Sequence, residues 1–463
     1  MSRFYISAAH KSSGKTTLSL GLAAALTQQG LKVQTFKKGP DYIDPMWLRE
    51  ASGRPCYNLD FNTMQPDEIQ ALVAARLQDT DVGLIEGNKG LFDGMALDLS
   101  NSNAALAHLL ETPIVLVIDV QGMTRGIAPL LLGYQQFDSR LRIDGVILNK
   151  VAGSRHETKL RETVEHYTDI PVVGAVHRNP ALRIDERHLG LVPSNEASGA
   201  RALIDGIAAR IQDQVDLRLL HGIAAAAPAL AASATQTAAG PIPIKVHIGV
   251  ARDAAFGFYY PDDLEALEAA GATLVPIDTL SDSALPPIDG LFIGGGFPET
   301  CMDRLAANTE LRHAIHAAIE AGLPTYAECG GLMYLTRSLR WNERQAEMVG
   351  IIPADTVMHP RPQGRGYIVL EEEHNAHPWQ GTPPCGAIAA HEFHYSRLEN
   401  FNTDSVTFAY RVLRGSGIDG RHDGYVYKNL LACYAHLRDT AQYHWATRFV
   451  DFVRRRKNPT QHR

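Results

Sequence analysis

The chain has 463 residues and a formal net charge of −7, with 45% apolar and 21% charged residues. This length predicts two or three domains, and the composition is typical of a globular protein in water. The negative charge disfavours nucleic-acid binding, and without an apolar run of about 18 residues we expect no membrane span.

The first half alternates short apolar runs with amphipathic stretches, which predicts a parallel sheet with helices on both faces. We therefore expect an N-terminal domain over residues 1–220. Its predicted strands are residues 4–8, 32–36, 82–85, 114–119 and 145–149, and its predicted helices are residues 16–28 and 157–166.

A change of composition separates the two halves. Residues 222–240 are rich in alanine and carry no charge, which predicts an interdomain linker over 221–243. Alternation then restarts, so we expect a second α/β domain over 244–450 and a solvated basic tail over 451–463. Both sheets are expected to be mainly parallel. The predicted strands of the second domain are 245–250, 288–293 and 324–327, and its helices are 261–270 and 309–321.

The first candidate site is the loop HKSSGKTT, residues 10–17, between the strand at 4–8 and a helix. Backbone N–H groups at a helix N-terminus bind phosphate, a lysine reaches the outer phosphates, and a threonine hydroxyl can ligate Mg²⁺. The loop departs from G-x-x-x-x-G-K-[ST] at Ala9, where that pattern has glycine. It still predicts a nucleotide site formed by Ser12, Ser13, Gly14, Lys15, Thr16 and Thr17.

Acidic residues follow two later strands. Asp41 and Asp44 lie in FKKGPDYIDP, and Glu86 and Asp93 lie in LIEGNKGLFDG. Because the carboxyl ends of parallel strands line one ligand crevice, these carboxylates should converge on the phosphate loop and help to hold Mg²⁺. The alternative for the two aspartates near residue 40 is a turn role beside Pro40 and Pro45.

Asn149 ends another predicted strand, in GVILNK. Its side-chain amide offers both a donor and an acceptor, which could read the edge of an adenine. A structural asparagine at a strand end is the alternative interpretation.

The second candidate site is a cysteine in LPTYAECGGLMYL. Cys329 follows a predicted strand and precedes Gly330 at the start of a helix, the arrangement of a nucleophile elbow. A helix N-terminus favours the thiolate form of a cysteine, so this residue is a candidate nucleophile.

A nucleophile of this kind needs a base and donors for an oxyanion. The best candidate base is His436 in LLACYAHLRD, with His391 and His394 in AAHEFHYS as rivals. The glycine loop FIGGGFPE follows a strand and offers backbone N–H groups. The predicted oxyanion residues are Gly295, Gly296 and Gly330.

Nine stretches of the chain occur together in one order: FKKGPDYIDP, YNLD, GLFDG, ERHLGLVP, ARDAAFGFYYPDDLEALEAAGA, GGGFPE, AECGG, HEFHYS and AHL. With these stretches the chain resembles the cobyrinic acid a,c-diamide synthase family almost end to end. The resemblance implies an N-terminal P-loop ATPase domain related to dethiobiotin synthetase and a C-terminal class I, triad-type glutamine amidotransferase domain.

In that family the cysteine releases ammonia from glutamine through a thioester, while ATP phosphorylates a carboxylate that ammonia then attacks. The resemblance therefore implies a carbon–nitrogen ligase that amidates the a- and c-acetate groups of a cyclic tetrapyrrole, using ATP and Mg²⁺. It carries over Cys329 as nucleophile and His436 as base. The positions that bind the metal in that family correspond to Thr16, Asp41 and Glu86. The positions that handle the substrate and acyl phosphate are Tyr42, Asp44, Lys89 and Asp93.

Two departures from the family pattern bear on mechanism and substrate. Many triad amidotransferases have an acid two residues after the histidine, whereas this chain has Arg438 there, so a dyad or an acid from elsewhere must serve. The usual EGVMGLYDG is here EGNKGLFDG, which puts Asn88 and Lys89 near the expected substrate carboxylates. Sirohaem or nickel sirohydrochlorin is therefore an alternative acceptor, and a nucleotide-dependent switch or maturation protein is a remote alternative function.

The expected partners are glutamine and a tetrapyrrole polycarboxylate, with no nucleic acid and no membrane. The five cysteines are odd in number and widely spaced, which predicts reduced thiols and a cytoplasmic protein. The oligomeric state is left open, with a homodimer as one option.

Overall fold

The computed structural model describes residues 1–180, 184, 186–187, 190–197, 199–230, 245–379 and 386–457. The chain forms two compact units. Unit 1 is Met1–Phe61 with Gln65–Gln236, and unit 2 is Asn62–Met64 with Thr237–Arg463. Among the described residues, no helix has both the length and the apolar character that a membrane crossing requires.

Unit 1 is built on a sheet of seven parallel strands in the order β3-β2-β4-β1-β5-β6-β7. Every residue of β1, β2 and β4 is buried, as expected for a parallel sheet covered on both faces. The strands are β1 (Arg3–Ala8), β2 (Val33–Lys38), β3 (Tyr57–Leu59), β4 (Val82–Glu86), β5 (Ile114–Asp119), β6 (Ile143–Val151) and β7 (Val172–His177).

Eight helices and a small hairpin are described around this sheet. The helices are α1 (Lys15–Gln28), α2 (Ile43–Ser52), α3 (Pro66–Leu77), α4 (Asn103–Leu109), α5 (Ile127–Phe137), α6 (Ser154–Tyr167), α7 (Ala200–Gln214) and α8 (Leu217–Ala225). The hairpin pairs β8 (Glu186–Arg187) with β9 (Gly190–Leu191). Helix α8 runs into the first part of the predicted linker, and residues 231–243 of that prediction lie outside the described residues.

Unit 2 is built on a nine-stranded sheet in the order β12-β10-β13-β15-β24-β23-β22-β19-β20. The strands are β10 (Val246–Ala251), β12 (Ala272–Ile277), β13 (Gly290–Ile293), β15 (Thr325–Glu328), β19 (Gly364–Glu372), β20 (Ile388–His394), β22 (Thr407–Arg414), β23 (His422–Tyr427) and β24 (Leu430–Cys433). Pairings from β12 to β24 are parallel, and those from β24 to β20 are antiparallel.

This sheet is therefore mixed, whereas we expected a mainly parallel one. The reason is the length of the connections: only a few residues separate β22, β23 and β24, and short turns join antiparallel neighbours. The other strands of the unit are β11 (Phe256–Phe258), β14 (Gly295–Gly296), β16 (Thr336–Trp341), β17 (Arg344–Glu347), β18 (Ile352–Met358) and β21 (Ser396–Glu399).

Aromatic side chains fill the core on one face of the unit 2 sheet. The ring centroids of Phe292 and Tyr326 lie 5.3 Å apart, and each ring contacts Trp445 at 5.4 and 5.0 Å. Burial of each such side chain contributes roughly 1.5–3 kcal/mol. The described helices of this unit are α9 (Pro261–Ala269), α10 (Met302–Ala307), α11 (Thr309–Glu320), α12 (Gly330–Leu335) and α13 (Trp445–Lys457).

The basic run near the C-terminus differs from its expected place in a solvated tail. Helix α13 continues through Lys457, and Arg454 is buried and donates a hydrogen bond to the carbonyl of Ala270 at 2.7 Å. The helix continues because its apolar face packs on the sheet, and cations are favourable in a last helical turn. Residues 458–463 lie outside the described residues.

Candidate active sites

The phosphate loop connects β1 to α1, as the sequence predicts. Gly14 precedes the helix with a left-handed φ of 89°, a conformation that glycine adopts without a Cβ penalty. Gly14 has no side chain that could cap the first turn of α1, so the N–H groups of that turn can face a phosphate. The Lys15 ammonium donates to the carbonyl of Lys89. Burial, and then the charge of Lys37, lower the pKa of Lys15 to about 8.

Asn149 lies on β6 and supports this loop. Its Nδ2 donates to the carbonyl of Ser13 at 2.8 Å, and its Oδ1 accepts from the backbone N of Lys150 at 2.9 Å. Both polar atoms that we expected to read an adenine edge therefore hold protein groups. Reading of a base by Asn149 stays a prediction, and its visible contact is with the loop.

A lysine lies at the centre of the acidic cluster. Lys37 and Glu86 are register partners on adjacent strands β2 and β4. The Lys37 Nζ lies 2.8 Å from Glu86 Oε1 and 2.5 Å from Asp44 Oδ2, and Lys37 and Glu86 are buried. Although burial favours the neutral amine, the charges of Asp44 and Glu86 hold the pKa of Lys37 well above its usual value.

The threonine of the phosphate loop joins this cluster. Thr16 Oγ1 donates to Glu86 Oε1 at 2.8 Å and to Asp44 Oδ2 at 3.2 Å. The Thr16 hydroxyl and the carboxylates of Asp44 and Glu86 offer hard oxygen ligands of the kind that Mg²⁺ prefers. Glu86 Oε2 is buried without a hydrogen-bond partner among the described residues. No group of three or more His, Cys, Asp or Glu side chains in the described chain has the geometry of a metal site. Mg²⁺ keeps several waters, so two carboxylates and a hydroxyl fit it.

The structure gives Asp41 and Asp44 different contacts, and a metal role for Asp41 stays a prediction. Asp44, predicted beside the substrate, lies next to Thr16, where we expected Asp41. Asp41 Oδ1 instead accepts from the backbone N of Ile43 and Asp44 at 3.0 and 3.1 Å, and its Oδ2 is 3.9 Å from Lys37 Nζ. Asp41 thus caps the first turn of α2, which begins between the two aspartates and directs them differently.

The segment EGNKGLFDG is shaped by its own side chains. Asp93 Oδ2 accepts from the backbone N of Gly90 at 2.9 Å, and Asn103 donates to the carbonyls of Asn88 and Gly90. Lys89 has a left-handed φ of 38°, and its side chain is exposed. The roles of Lys89 and Asp93 toward a substrate stay predictions.

Two further predicted residues of unit 1 lie close to these groups in the chain. Tyr42 immediately precedes α2, with a buried side chain. Thr17 lies in the first turn of α1 with a half-buried side chain. Their roles toward substrate and nucleotide also stay predictions.

Cys329 in unit 2 forms the elbow between β15 and α12. Its φ of 47° and ψ of −100° lie in a region that side chains rarely adopt, and its backbone N donates to the carbonyl of Cys433 at 2.7 Å. Backbone strain of this kind persists only where the surrounding structure imposes it, and it is concentrated at functional sites.

The predicted oxyanion glycines pack around the nucleophile and the histidine. A Cβ on Gly295 would lie 2.5 Å from His436 Cε1, and one on Gly330 would lie 2.9 Å from the backbone N of Gly296. Only glycine allows these approaches. Donation of their N–H groups to an oxyanion stays a prediction.

His436 meets Cys329 because β15 and β24 are parallel neighbours, with Glu328 in register with Cys433. The histidine is buried, and its backbone exchanges hydrogen bonds of 2.7 and 3.2 Å with His391. Burial by itself lowers the pKa of His436, but its interactions with Cys329 and Glu328 raise it to about 10. A histidine that interacts with a candidate nucleophile is suited to serve as its base.

The rival histidines have other surroundings. His394 Nδ1 is hydrogen-bonded to the carbonyl of Ser396 at 2.9 Å, and its ring stacks on Tyr434 with centroids 3.8 Å apart. Burial, and then the charge of His436, lower the pKa of His391 to about 3. These contacts favour His436 as the base.

The carboxylate beside His436 was missed by sequence reasoning. Glu328 Oε2 lies 3.4 Å from His436 Nδ1, and its Oε1 accepts from the backbone N of Leu437 at 2.9 Å and from the Tyr326 hydroxyl at 2.5 Å. A signal was available, since Glu328 ends a parallel strand directly before the nucleophile in AECGG. The usual family pattern has its acid two residues after the histidine, where this chain has Arg438.

The folds and sites define a class of protein: a nucleotide-binding P-loop unit joined to a cysteine-type glutamine amidotransferase unit. Comparisons with known families agree. The CobQ/CobB/MinD/ParA nucleotide binding domain matches residues 6–192, and the CobB/CobQ-like glutamine amidotransferase domain matches residues 247–442.

The chain belongs to the cobyrinate a,c-diamide synthase family. It is 45% identical to the cobyrinate a,c-diamide synthase of Magnetococcus marinus, over 99% of this chain and 98% of that one. It is 39% identical to the enzyme of the same name from Methanosarcina acetivorans, over 95% and 93%. Identity to that of Archaeoglobus fulgidus is also 39%, over 96% of each chain.

Proposed function

We propose that this protein uses ATP and glutamine to amidate the a- and c-acetate carboxylates of cobyrinate. The observation that carries the proposal is Cys329 on a strained elbow after β15, whose parallel neighbour β24 leads to His436, in a chain that matches a cobyrinate a,c-diamide synthase over 99% of its length. The named activity of the relatives supplies the acceptor.

Unit 2 would hydrolyse glutamine. His436 takes the proton of the Cys329 thiol, and the sulfur attacks the side-chain carbonyl of glutamine. Backbone N–H groups of the glycine loop would hold the oxyanion. The C–N bond then breaks, ammonia leaves with a proton returned by His436, and water hydrolyses the glutamyl thioester to glutamate.

Unit 1 would activate the acceptor. The N-terminus of α1 and Lys15 would bind the phosphates of ATP, and Thr16, Asp44 and Glu86 would hold Mg²⁺, which neutralises phosphate charge. A carboxylate of the acceptor attacks the terminal phosphorus and ADP leaves. Ammonia then attacks the acyl phosphate, so an amide forms and inorganic phosphate departs.

A mass-resolved turnover assay tests this proposal. Protein, ATP, Mg²⁺ and glutamine would be offered cobyrinic acid and sirohaem in parallel, and each product would be identified by mass. Two successive amidations of cobyrinic acid are expected. Product from sirohaem alone would overturn the choice of acceptor, and an absence of glutamine hydrolysis would overturn the amidotransferase assignment.

We also propose a cytoplasmic location. The described cysteines Cys56, Cys301, Cys329 and Cys433 are free thiols, which supports a reducing compartment. Association into a homodimer stays a prediction that sedimentation would test.

A further inference from the structure

We propose that Glu328 is a positioning residue that orients His436 for proton transfer with Cys329, in place of the acid that many triad amidotransferases carry two residues after the histidine. This inference rests on the proposed glutaminase function of unit 2. It adds a third member to the pair of residues that the sequence indicated.

The first observation is the way in which Glu328 is held. The residue is 4% exposed, and Oε1 accepts from the Leu437 backbone N at 2.9 Å and from the Tyr326 hydroxyl at 2.5 Å. These two donors fix the carboxylate plane, and they leave Oε2 as the atom that faces His436 Nδ1 at 3.4 Å. One carboxylate therefore contacts both the histidine ring and the backbone that follows it.

The second observation concerns the position where the acid is usually found. Arg438 stands there, its guanidinium lies 2.7 Å from Asp262 Oδ2 on α9, and it covers the ring of Tyr260 at 4.8 Å. Next to it, the backbone N of Asp439 donates to Asp263 Oδ1 at 2.7 Å. The ion pair between Arg438 and Asp262 anchors the segment that carries His436, but Arg438 is a base and cannot serve as an acid beside the histidine ring.

A carboxylate at Nδ1 has a chemical consequence for the ring. An acceptor beside Nδ1 favours the tautomer with a proton on Nδ1, which leaves Nε2 free to take the thiol proton. The negative charge also stabilises the imidazolium that forms. Among the described residues, the ionisable groups near His436 include Cys329, Glu328 and His391, whose ring centroid lies 6.3 Å away.

The substitution Glu328→Gln tests the effect of the carboxylate on the His436 ring without changing the packing around residue 328. The amide keeps the shape and can still accept from Leu437 and Tyr326 through its oxygen. Its NH₂ group then faces Nδ1, donates where the carboxylate accepted, and favours the wrong tautomer. We expect glutamine hydrolysis to fall by about 10²–10⁴-fold, by analogy with the buried acid of serine proteases, while amidation with free ammonia is kept.

A second readout needs no tetrapyrrole. The rate of Cys329 alkylation by iodoacetamide would be measured against pH, with Cys301→Ala as background so that this partly exposed thiol does not contribute. The pH of half-maximal alkylation should rise by roughly one to two units in Glu328→Gln, and Glu328→Asp should recover part of the wild-type profile. A purely structural role would lower stability without moving this profile.

The matched control is Glu392→Gln. Glu392 is also a buried carboxylate near a histidine, 3.7 Å from His394 Nε2, and it accepts from the backbone N of Ser416 and Gly417. We expect its alkylation profile to match the wild type.

An unchanged profile in folded Glu328→Gln, or an equal shift in Glu392→Gln, would overturn the inference. If Glu328→Gln does not fold, the pH profile of Cys329 alkylation in Glu328→Asp is compared with the wild type in its place. Failure of the function itself would appear separately, as wild-type protein without glutaminase activity.

Discussion

In both units the candidate site lies at the same end of the sheet, but the side chains of the two sites have different partners. Both sites lie at the carboxyl ends of parallel strands, β1, β2 and β4 in unit 1 and β15 and β24 in unit 2. In unit 1 the cations are paired with protein groups, Lys37 with Glu86 and Lys15 with a carbonyl. In unit 2 the candidate nucleophile and base follow neighbouring parallel strands, Cys329 after β15 and His436 after β24.

The difference follows from the charge of what each site would receive. A nucleotide triphosphate with Mg²⁺ brings several charges, so the buried groups that meet it need partners of their own to be stable when it is absent. The side chain of glutamine is neutral, so the nucleophile and base can be held in working orientation without a charge to exchange. Because the two sites use different chemistry, substitutions can silence them one at a time.

Removal of the nucleophile should silence unit 2 alone. In Cys329→Ala, amidation driven by glutamine should fall by at least about a thousandfold, because no thioester can form. Amidation driven by ammonium salts should persist. Product formation would be followed by mass spectrometry, with Cys301→Ala as a matched cysteine control. Loss of both activities in a folded Cys329→Ala protein would contradict two independent sites.

Removal of the phosphate-loop cation should silence unit 1 alone. Lys15→Met should lower ATP-dependent amidation by about 10²–10³-fold, since one charged donor to the transferring phosphoryl group is lost. Glutamine hydrolysis, measured as glutamate release, should continue. Lys32→Met serves as control because this exposed lysine directly precedes β2, at the opposite end of the strand from the site. An equal loss in that variant would argue against a specific role.

The buried ion pair can be broken from the cationic side. Lys37→Met leaves Glu86 and Asp44 without their partner, which should cost about 3–5 kcal/mol of stability in unit 1. Mg²⁺ should restore part of this loss, because it fits the same oxygens. Hydrogen exchange of peptides from β2 and β4, measured with and without Mg²⁺, would show faster exchange in the variant and a larger protection by the ion than in wild type. The same response to Mg²⁺ in both proteins would contradict the metal assignment.

The lowered pKa of Lys15, about 8, predicts a proton linkage on nucleotide binding. Near pH 8 roughly half of these lysines are neutral, and phosphate oxygens favour the ammonium form, so ATP binding should take up as much as about half a proton. Below about pH 7 this uptake should vanish, because the lysine is already charged. Calorimetry in two buffers of different ionisation enthalpy measures it. Lys15→Arg stays protonated and should abolish the uptake; the same uptake in that variant would assign it to another group.

Local patterns in the sequence were enough to locate both sites. Each is a strand–turn–helix with its chemistry in consecutive residues, so that Lys15 and Thr16, or Cys329 and Gly330, reveal the site without knowledge of the rest of the fold. The family resemblance then related these motifs to two domains, and the comparisons confirm that family.

The assignment of individual side chains depended on contacts that no local pattern contains. Asp41 and Asp44 are three residues apart and chemically alike, and the point at which α2 begins decides which of them reaches Thr16. Asn149 and Ser13 are distant in sequence, yet the loop uses the amide that we had expected to read a base.

The phosphate loop, the cysteine elbow and the two α/β units could be predicted from residue order, because propensity, periodicity and turn chemistry act between near neighbours in the chain. The approach of Glu328 to His436 could not, because that contact depends on the pairing of β15 with β24, about a hundred residues apart in sequence. The same holds for the antiparallel half of the second sheet and for the burial of Arg454 in α13. Each depends on which distant surfaces come together when the apolar faces are buried. Patterns between neighbouring residues do not predict such contacts.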